Sequence, residues 1–313
     1  MGDWAGRMRR GGILVAALAG FWAPAAGAAA PSAVVEERAP RPAIWLVEDE
    51  DTKIYLFGTV HIFPASLRWR SPALNRVIAE AQELVMETPD TSVQDARAVQ
   101  RIQGPMQLGK SVPILERVSP RARPYLQQAL EATGVPVEHF NQLTTWGVAF
   151  VLTGYQISQA ARGDSAAPVE LTGAEEVLAA LFRKSRRPIS GVETIEDQIN
   201  VFASMPLDAQ SRFLESVVVG EEEGEEPQQP QEATDESWVS GNVEAIAAEM
   251  QSMPDDMYQA LLTRRNRNWT VWLARRMERP GVVLFAVGAG HLAGPDSVQT
   301  MLAARGIRAR RID

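Results

Sequence analysis

Two of the chain's three histidines stand three residues behind a glycine that closes an apolar, β-favouring run. Ile54-Tyr55-Leu56-Phe57 leads into Gly58-Thr59-Val60-His61, and Val282–Val287 leads into Gly288-Ala289-Gly290-His291. Imidazole titrates nearest neutrality of all side chains and is the commonest metal ligand. Set at a strand end, behind a residue with no side chain to block the approach, it suits acid–base work or metal ligation. Two further strand-like runs end on carboxylates, Leu84–Met86 at Glu87 and Pro188–Val192 at Glu193. Two imidazoles with one or two carboxylates make a nitrogen–oxygen donor set that suits zinc, manganese or cobalt and leaves positions for water and substrate. On that reading His61, His291 and Glu87 hold a divalent ion, which would acidify its water and polarise a carbonyl. Glu87 or Glu193 would act as ligand or general base.

One helix adds to this set. Over Asp255–Met277 the stripe Trp269, Leu273 and Met277 reads as buried, with Asn266 on it one turn earlier and Arg265 beside it. A guanidinium on an apolar face must be paired, or it costs several kcal/mol. Arg265 is therefore either a site residue, holding an oxyanion or a substrate carboxylate, or half of a structural ion pair. Arg264 and Arg267 point elsewhere, into solvent. The third histidine, His139 in Val-Glu-His-Phe, has neither a glycine partner nor a carboxylate pattern and reads as a surface or packing residue.

The elements that must position these groups repeat. After His61, Ser71-Pro72 starts a helix with Leu74, Val77, Ile78 and Ala81 on one face, and a strand Glu83–Glu87 follows. After His291, Gly294-Pro295 precedes a face of Val298, Met301 and Leu302, Gly306 ends the helix, and Ile307–Ile312 closes as a strand. Strand, Gly-x-x-His, helix, strand thus occurs twice. Ala43–Val47 and Lys53–Phe57 flank Glu48–Asp51 as a hairpin, and the stretch from Thr91 to Met205 is mostly helical. The fold class expected is α/β: a central mixed sheet from two similar βαβ halves at the chain ends, with a helical middle section over the site. Parallel strands present their carboxyl ends at one edge, so the two histidines should converge there.

The rest of the chain bounds the reading. Arg7, Arg9 and Arg10, then Ile13–Trp22, then small residues through Ala30 read as an export leader over residues 1–30. A loose leader over 31–42 and one domain over 43–313 would follow, in the periplasm or outside the cell, or anchored to the membrane if the leader is uncleaved. Losing three Arg and one Asp with the leader takes the net charge from −8 to −10, a poor match to nucleic acid. With no cysteine, disulfides and thiolate metal sites are excluded. No second apolar run approaches transmembrane length. Gly220–Glu236, rich in acid with Gln and Pro, reads as a disordered solvated insert whose spacing fits no calcium loop. The glycines from Gly288 to Gly294 miss the dinucleotide-binding spacing.

Tyr55–Pro64, Leu67–Leu74, Glu83–Glu87, Arg265-Asn266 with Trp269, and Val287–Gly294 resemble the TraB/GumN family, which includes pheromone-shutdown proteins and the Tiki proteases. The resemblance extends from about Ala43 to Ile312. It implies a metal-dependent hydrolase, a peptidase in the Tiki branch, with His61, Glu87 and His291 at the site and Arg265 and Asn266 near it. It implies a fold similar to that of erythromycin esterases and haem-binding ChaN proteins. The substrate expected is a peptide or a small molecule. The alternatives are a metal-independent esterase with a histidine base, and a protein that binds a peptide or haem without chemistry.

Overall fold

The computed structural model describes residues 39–89, 96–162, 169–219 and 230–313. The export leader, all but the last residues of the loose segment 31–42, and residues 220–229 of the acidic insert lie outside them. The stretch read as one domain is built from two compact units, each drawn from separated stretches of chain.

The α/β unit takes residues 39–89, 170–194 and 231–313. Its strands are β1 (Ile44–Glu48), β2 (Thr52–Thr59), β3 (Phe63–Pro64), β4 (Glu83–Met86), β5 (Leu171–Thr172), β6 (Ile189–Gly191), β7 (Gly281–Gly288) and β8 (Arg310–Arg311). Six of them form a mixed sheet in the order β6-β4-β7-β2-β1-β8. Neighbours β6, β4, β7 and β2 are all parallel, and β1 alone runs the other way. The acidic turn before β2 closes as expected. Asp49 Oδ1 accepts from the N–H groups of Asp51 and Thr52, at 3.2 and 2.9 Å, turning β1 back onto β2.

Alternation along the strands loads both faces. Leu84, Met86, Leu284, Ala286, Tyr55 and Phe57 face one way, with Leu74, Val77 and Ile78 of helix Pro72–Glu80 packed on them. Val85, Val283, Phe285, Val287, Ile54 and Leu56 face the other, under Trp269 and Leu273 of helix Arg264–Arg276 and Val298 and Leu302 of helix Val298–Ala303. The two βαβ units put their helices on opposite faces. From β2 the chain crosses to β4 on one side, from β7 to β8 on the other, and a single right-handed sense of crossover then demands opposite faces. Ser71 caps the first crossover helix by accepting from Leu74 N–H at 3.0 Å, with Pro72 in the first turn.

Three details depart from the sequence reading. The closing strand shrinks from Ile307–Ile312 to β8, where Arg311 pairs with Trp45 and Arg310 with Leu46, and beyond it Ile312 N–H still bonds to the Ile44 carbonyl at 3.0 Å. The helix expected from Trp238 starts at Pro230, so residues 230–236 of the acidic insert are helical rather than disordered. The helical run Asp255–Met277 is interrupted by a π-helical turn, Gln259–Thr263, in which Arg264 N–H bonds back to the Gln259 carbonyl.

The helical unit contains Ala96–Gln103, Arg123–Ala132, Val137–Phe140, Thr145–Arg162, Ile195–Ala203 and Leu207–Val219. Trp146, Phe150, Phe202 and Phe213 form its aromatic centre, with ring centroids 5.0–6.4 Å apart. His139 lies exposed on its short helix, as read from the sequence.

The helix Pro230–Ser240 is tied to the α/β unit by Trp238. Its indole packs at a tilt among Phe57, Phe63 and Trp69 and donates from Nε1 to the Gly58 carbonyl at 2.8 Å. Trp238→Phe keeps a ring but strands that carbonyl and leaves a small void. Denaturant unfolding should read a loss of roughly 1–3 kcal/mol.

Candidate active site

Four adjacent parallel strands deliver the four groups read from the sequence to one sheet edge. Across the order β6, β4, β7, β2, the residues just past each carboxyl end are Glu193, Glu87, His291 and His61. A methyl group built onto Gly288 would lie 3.2 Å from Glu87 Oε1, 3.5 Å from His291 Cδ2 and 3.5 Å from His61 Nε2. The missing side chain of Gly288 is thus the space these groups face. Gly58 plays a different part: its absent Cβ lets the two histidine turns touch, since a methyl there would come within 3.0 Å of Ala289 Cα.

Arg265 reaches the same place from its helix and is bonded at every N–H. Nε donates to Glu193 Oε1 at 2.9 Å and Oε2 at 3.2 Å. Nη2 donates to Glu87 Oε2 at 2.6 Å and Glu193 Oε2 at 2.7 Å. Nη1 donates to the Leu261 carbonyl and to His291 Nε2, both at 3.2 Å. Five hydrogens are therefore spent on the protein itself, and none remains for a substrate carboxylate or an oxyanion. The guanidinium also lies 4.8 Å from the Trp269 ring centre, while Trp269 Nε1 donates to Glu193 Oε1 at 2.9 Å. Of the two roles open to Arg265 in the sequence, the geometry matches the ion pair, made inside the site.

These contacts set charge states. Arg265 can only donate, so His291 Nε2 must accept, which puts the His291 proton on Nδ1. That proton goes to Asn266 Oδ1 at 2.6 Å, and Asn266 Nδ2 donates onward to the Asp296 carbonyl at 2.8 Å. Burial and then the Arg265 charge push the His291 pKa down to about 3. Burial works against the charge on Glu87, but Arg265, His291, His61 and the Gly288 N–H (2.8 Å) outweigh it and hold the carboxyl at about 2. Arg265, desolvated yet flanked by Glu87 and Glu193, is held still further above the ordinary arginine value.

His61 has a partner that sequence reading missed. Glu175, buried in the first turn of helix Ala174–Lys184, places Oε1 2.7 Å from His61 Nδ1 and also accepts from the Thr59 hydroxyl. Burial opposes charging of His61. The Glu175 carboxylate, through its charge and hydrogen bond, wins, and the pKa is raised. The one available signal was Leu-Thr-Gly before Ala174-Glu175, a strand-to-helix step. It carries nothing that points to His61. Nε2 of His61 has no protein partner among the described residues, and at 16% its side chain is the most exposed of the cluster.

The divalent ion expected from the donor types does not fit the side chains as they stand. Among the described residues no three His, Cys, Asp or Glu side chains are arranged to hold a metal. The physical reason is Arg265. It takes the His291 Nε2 lone pair and one Glu87 oxygen, and it brings a positive charge to the place a cation would need. Left beside Gly288 are the open Nε2 of His61 and the ionised carboxylate of Glu87, of which the imidazole nitrogen is able to accept a proton from a bound nucleophile.

The charge states predict a slope in stability with pH. Between pH 3 and 6.5 the unfolded chain protonates its histidine 291 and the folded chain does not, so stability rises with pH across that window. Glu87 adds the same sign between about 2 and 4.5. His61 has the opposite sign above 6.5, where the folded chain retains a proton the unfolded one has lost. Urea unfolding at pH 4.5, 5.5 and 6.5 should therefore show a shallower rise for His291→Asn than for the wild type; equal slopes would contradict a neutral His291.

No curated protein and no solved structure matches the chain. A family model described as the TraB/PrgY/gumN family matches residues 43–311. That match runs from the first strand of the sheet to the last, and the chain belongs to the TraB/PrgY/gumN family.

Proposed function

We propose that this protein is a hydrolase of carboxylic esters or amides, peptides included, with His61 as its general base. The observation that carries the reading is His61 Nε2, an open lone pair on an imidazole whose other nitrogen is held by a buried carboxylate. Three of the four groups at the edge, Glu87, His291 and His61, differ in basicity, while both oxygens of Glu193 are already bonded by Arg265 and Trp269. Glu87 at about 2 and His291 at about 3 are weak bases at neutral pH, and the His291 lone pair is already bonded. His61, raised above the ordinary histidine value, lies nearest the working range of a general base.

In this mechanism a water at His61 Nε2 attacks the substrate carbonyl carbon and its proton passes to Nε2. The tetrahedral intermediate collapses, the C–O or C–N bond breaks, and Nε2 returns the proton to the departing alkoxide or amine. Glu175 and Glu87 both favour the imidazolium formed between the two transfers. Arg265 keeps Glu87 ionised and His291 neutral and is hydrogen-bonded to Glu193, and so serves as a positioning residue with no N–H for the substrate. Asn266 fixes the His291 ring.

Release of nitrophenol from 4-nitrophenyl acetate and cleavage of a pool of quenched fluorogenic peptides test this. His61→Ala should lower the rate by about 100-fold or more, the usual worth of a general base. Turnover should survive a strong chelator, because Arg265 already holds the groups a metal would take. Loss of activity on chelation, restored by manganese, cobalt or zinc, would defeat the metal-free form of the mechanism. A wild type no faster than His61→Ala on either probe would defeat the hydrolase.

A further inference from the structure

Glu175 lies about 115 residues from His61 in sequence, yet the chain is stitched to it with unusual care. The segment before Glu175 forms β5, paired antiparallel with β3 directly after His61: Phe63 opposite Thr172 and Pro64 opposite Leu171. Ala65 N–H bonds to the Glu170 carbonyl at 2.8 Å, and Ala174 N–H to the Val60 carbonyl at 3.0 Å. Gly173 presses so closely on the His61 carbonyl that any Cβ there would collide with it. The turn that carries His61 and the turn that carries Glu175 are therefore one backbone assembly.

The carboxylate is aimed as well as delivered. Its Oε1 takes both the His61 Nδ1 contact and the Thr59 hydroxyl, and Thr59 is the last residue of β2. A carboxylate offers only lone pairs here, so Nδ1 must carry a hydrogen. A bland role as a first-turn acid for the helix dipole is already available from Glu176. Glu176 is the next residue, exposed, and bonded to Thr172 at 3.4 Å without approaching the histidine.

We propose that Glu175 is a positioning residue that locks His61 in the Nδ1–H tautomer and points its Nε2 lone pair at the space beside Gly288 and Glu87. An imidazole's tautomer is set by the hydrogen bond its other nitrogen makes. Only the Nδ1–H form leaves Nε2 able to take a proton from water. The effect on turnover rests on the hydrolytic reading; the tautomer does not.

The test uses the full chain with ¹⁵N-labelled histidine, read by NMR at a pH where His61 is neutral. In the wild type His61 should show a protonated Nδ1 and an unprotonated Nε2; the reverse assignment would overturn the proposal without any mutation. In Glu175→Ala the resonances should move toward the Nε2–H form. Glu175→Gln, nearly the same shape and still an acceptor, should keep the wild-type tautomer and supplies a folded comparison. With 4-nitrophenyl acetate, Glu175→Ala should lose about 100-fold in kcat with KM little changed, and Gln should restore part of it. An unchanged tautomer in Glu175→Ala would overturn the positioning role even if activity fell. A shifted tautomer in a chain that hydrolyses nothing would defeat the hydrolase and leave the positioning role standing.

Discussion

The site depends on one buried guanidinium. Arg265, Glu87 and Glu193 are each largely withdrawn from water, with side-chain exposures of 13%, 8% and 11%. Ions so placed are tolerated only when they are paired and their hydrogen bonds are filled. One cation serves two carboxylates from two neighbouring strands and still has an N–H for a histidine from a third. Without it two anions would face each other at close range, and removing one partner from such a buried pair costs roughly 3–5 kcal/mol. The same cation keeps His291 neutral and Glu87 ionised. Structural and electrostatic roles are therefore carried by the same five N–H bonds.

The sheet makes this arrangement possible through strand order rather than through loop design. Four parallel neighbours end at one edge, and each contributes the residue or residues just past its end. Parallel register brings Thr59 opposite Gly288, so the two histidine turns leave the sheet side by side. Two of the strands are adjacent only because the crossovers run in opposite directions over opposite faces, which interleaves the first βαβ unit with the second. Chain positions some 230 residues apart thereby become neighbours. The histidines are not equivalent, however. His291 is locked by Asn266 and Arg265, while His61 is held at one nitrogen and open at the other.

A π-helical turn ends where Arg264 begins, immediately before Arg265 and Asn266. A π turn takes one residue more than an α turn, so the helix beyond it is rotated relative to the helix before it. Leu261, within that turn, offers its carbonyl to Arg265 Nη1. The stripe of Asn266, Trp269 and Leu273 read from the sequence is buried because all three lie beyond the turn, in regular α-helix. A periodicity argument sees the stripe but not the irregular turn, since Gln259–Thr263 contains neither glycine nor proline to mark a change of pitch.

The sequence by itself determined the elements and most of the candidate groups. Apolar runs ending at Gly58 and Gly288 specify buried strands, and Ser71-Pro72 specifies a helix start. The position of Arg265 beside Trp269 required that its charge be met, by a site or by an ion pair, because local periodicity and the cost of desolvating a charge are both properties of short stretches of chain. Only the tertiary structure decided what those groups do. That Arg265 pairs with Glu87 and Glu193, and spends its last N–H on His291, depends on the order of strands in the sheet. That Glu175 belongs to His61 depends on a two-stranded ladder closed across about a hundred residues. Neither has a local signal, because a hydrogen bond between distant residues leaves no period, cap or turn in the sequence of either partner.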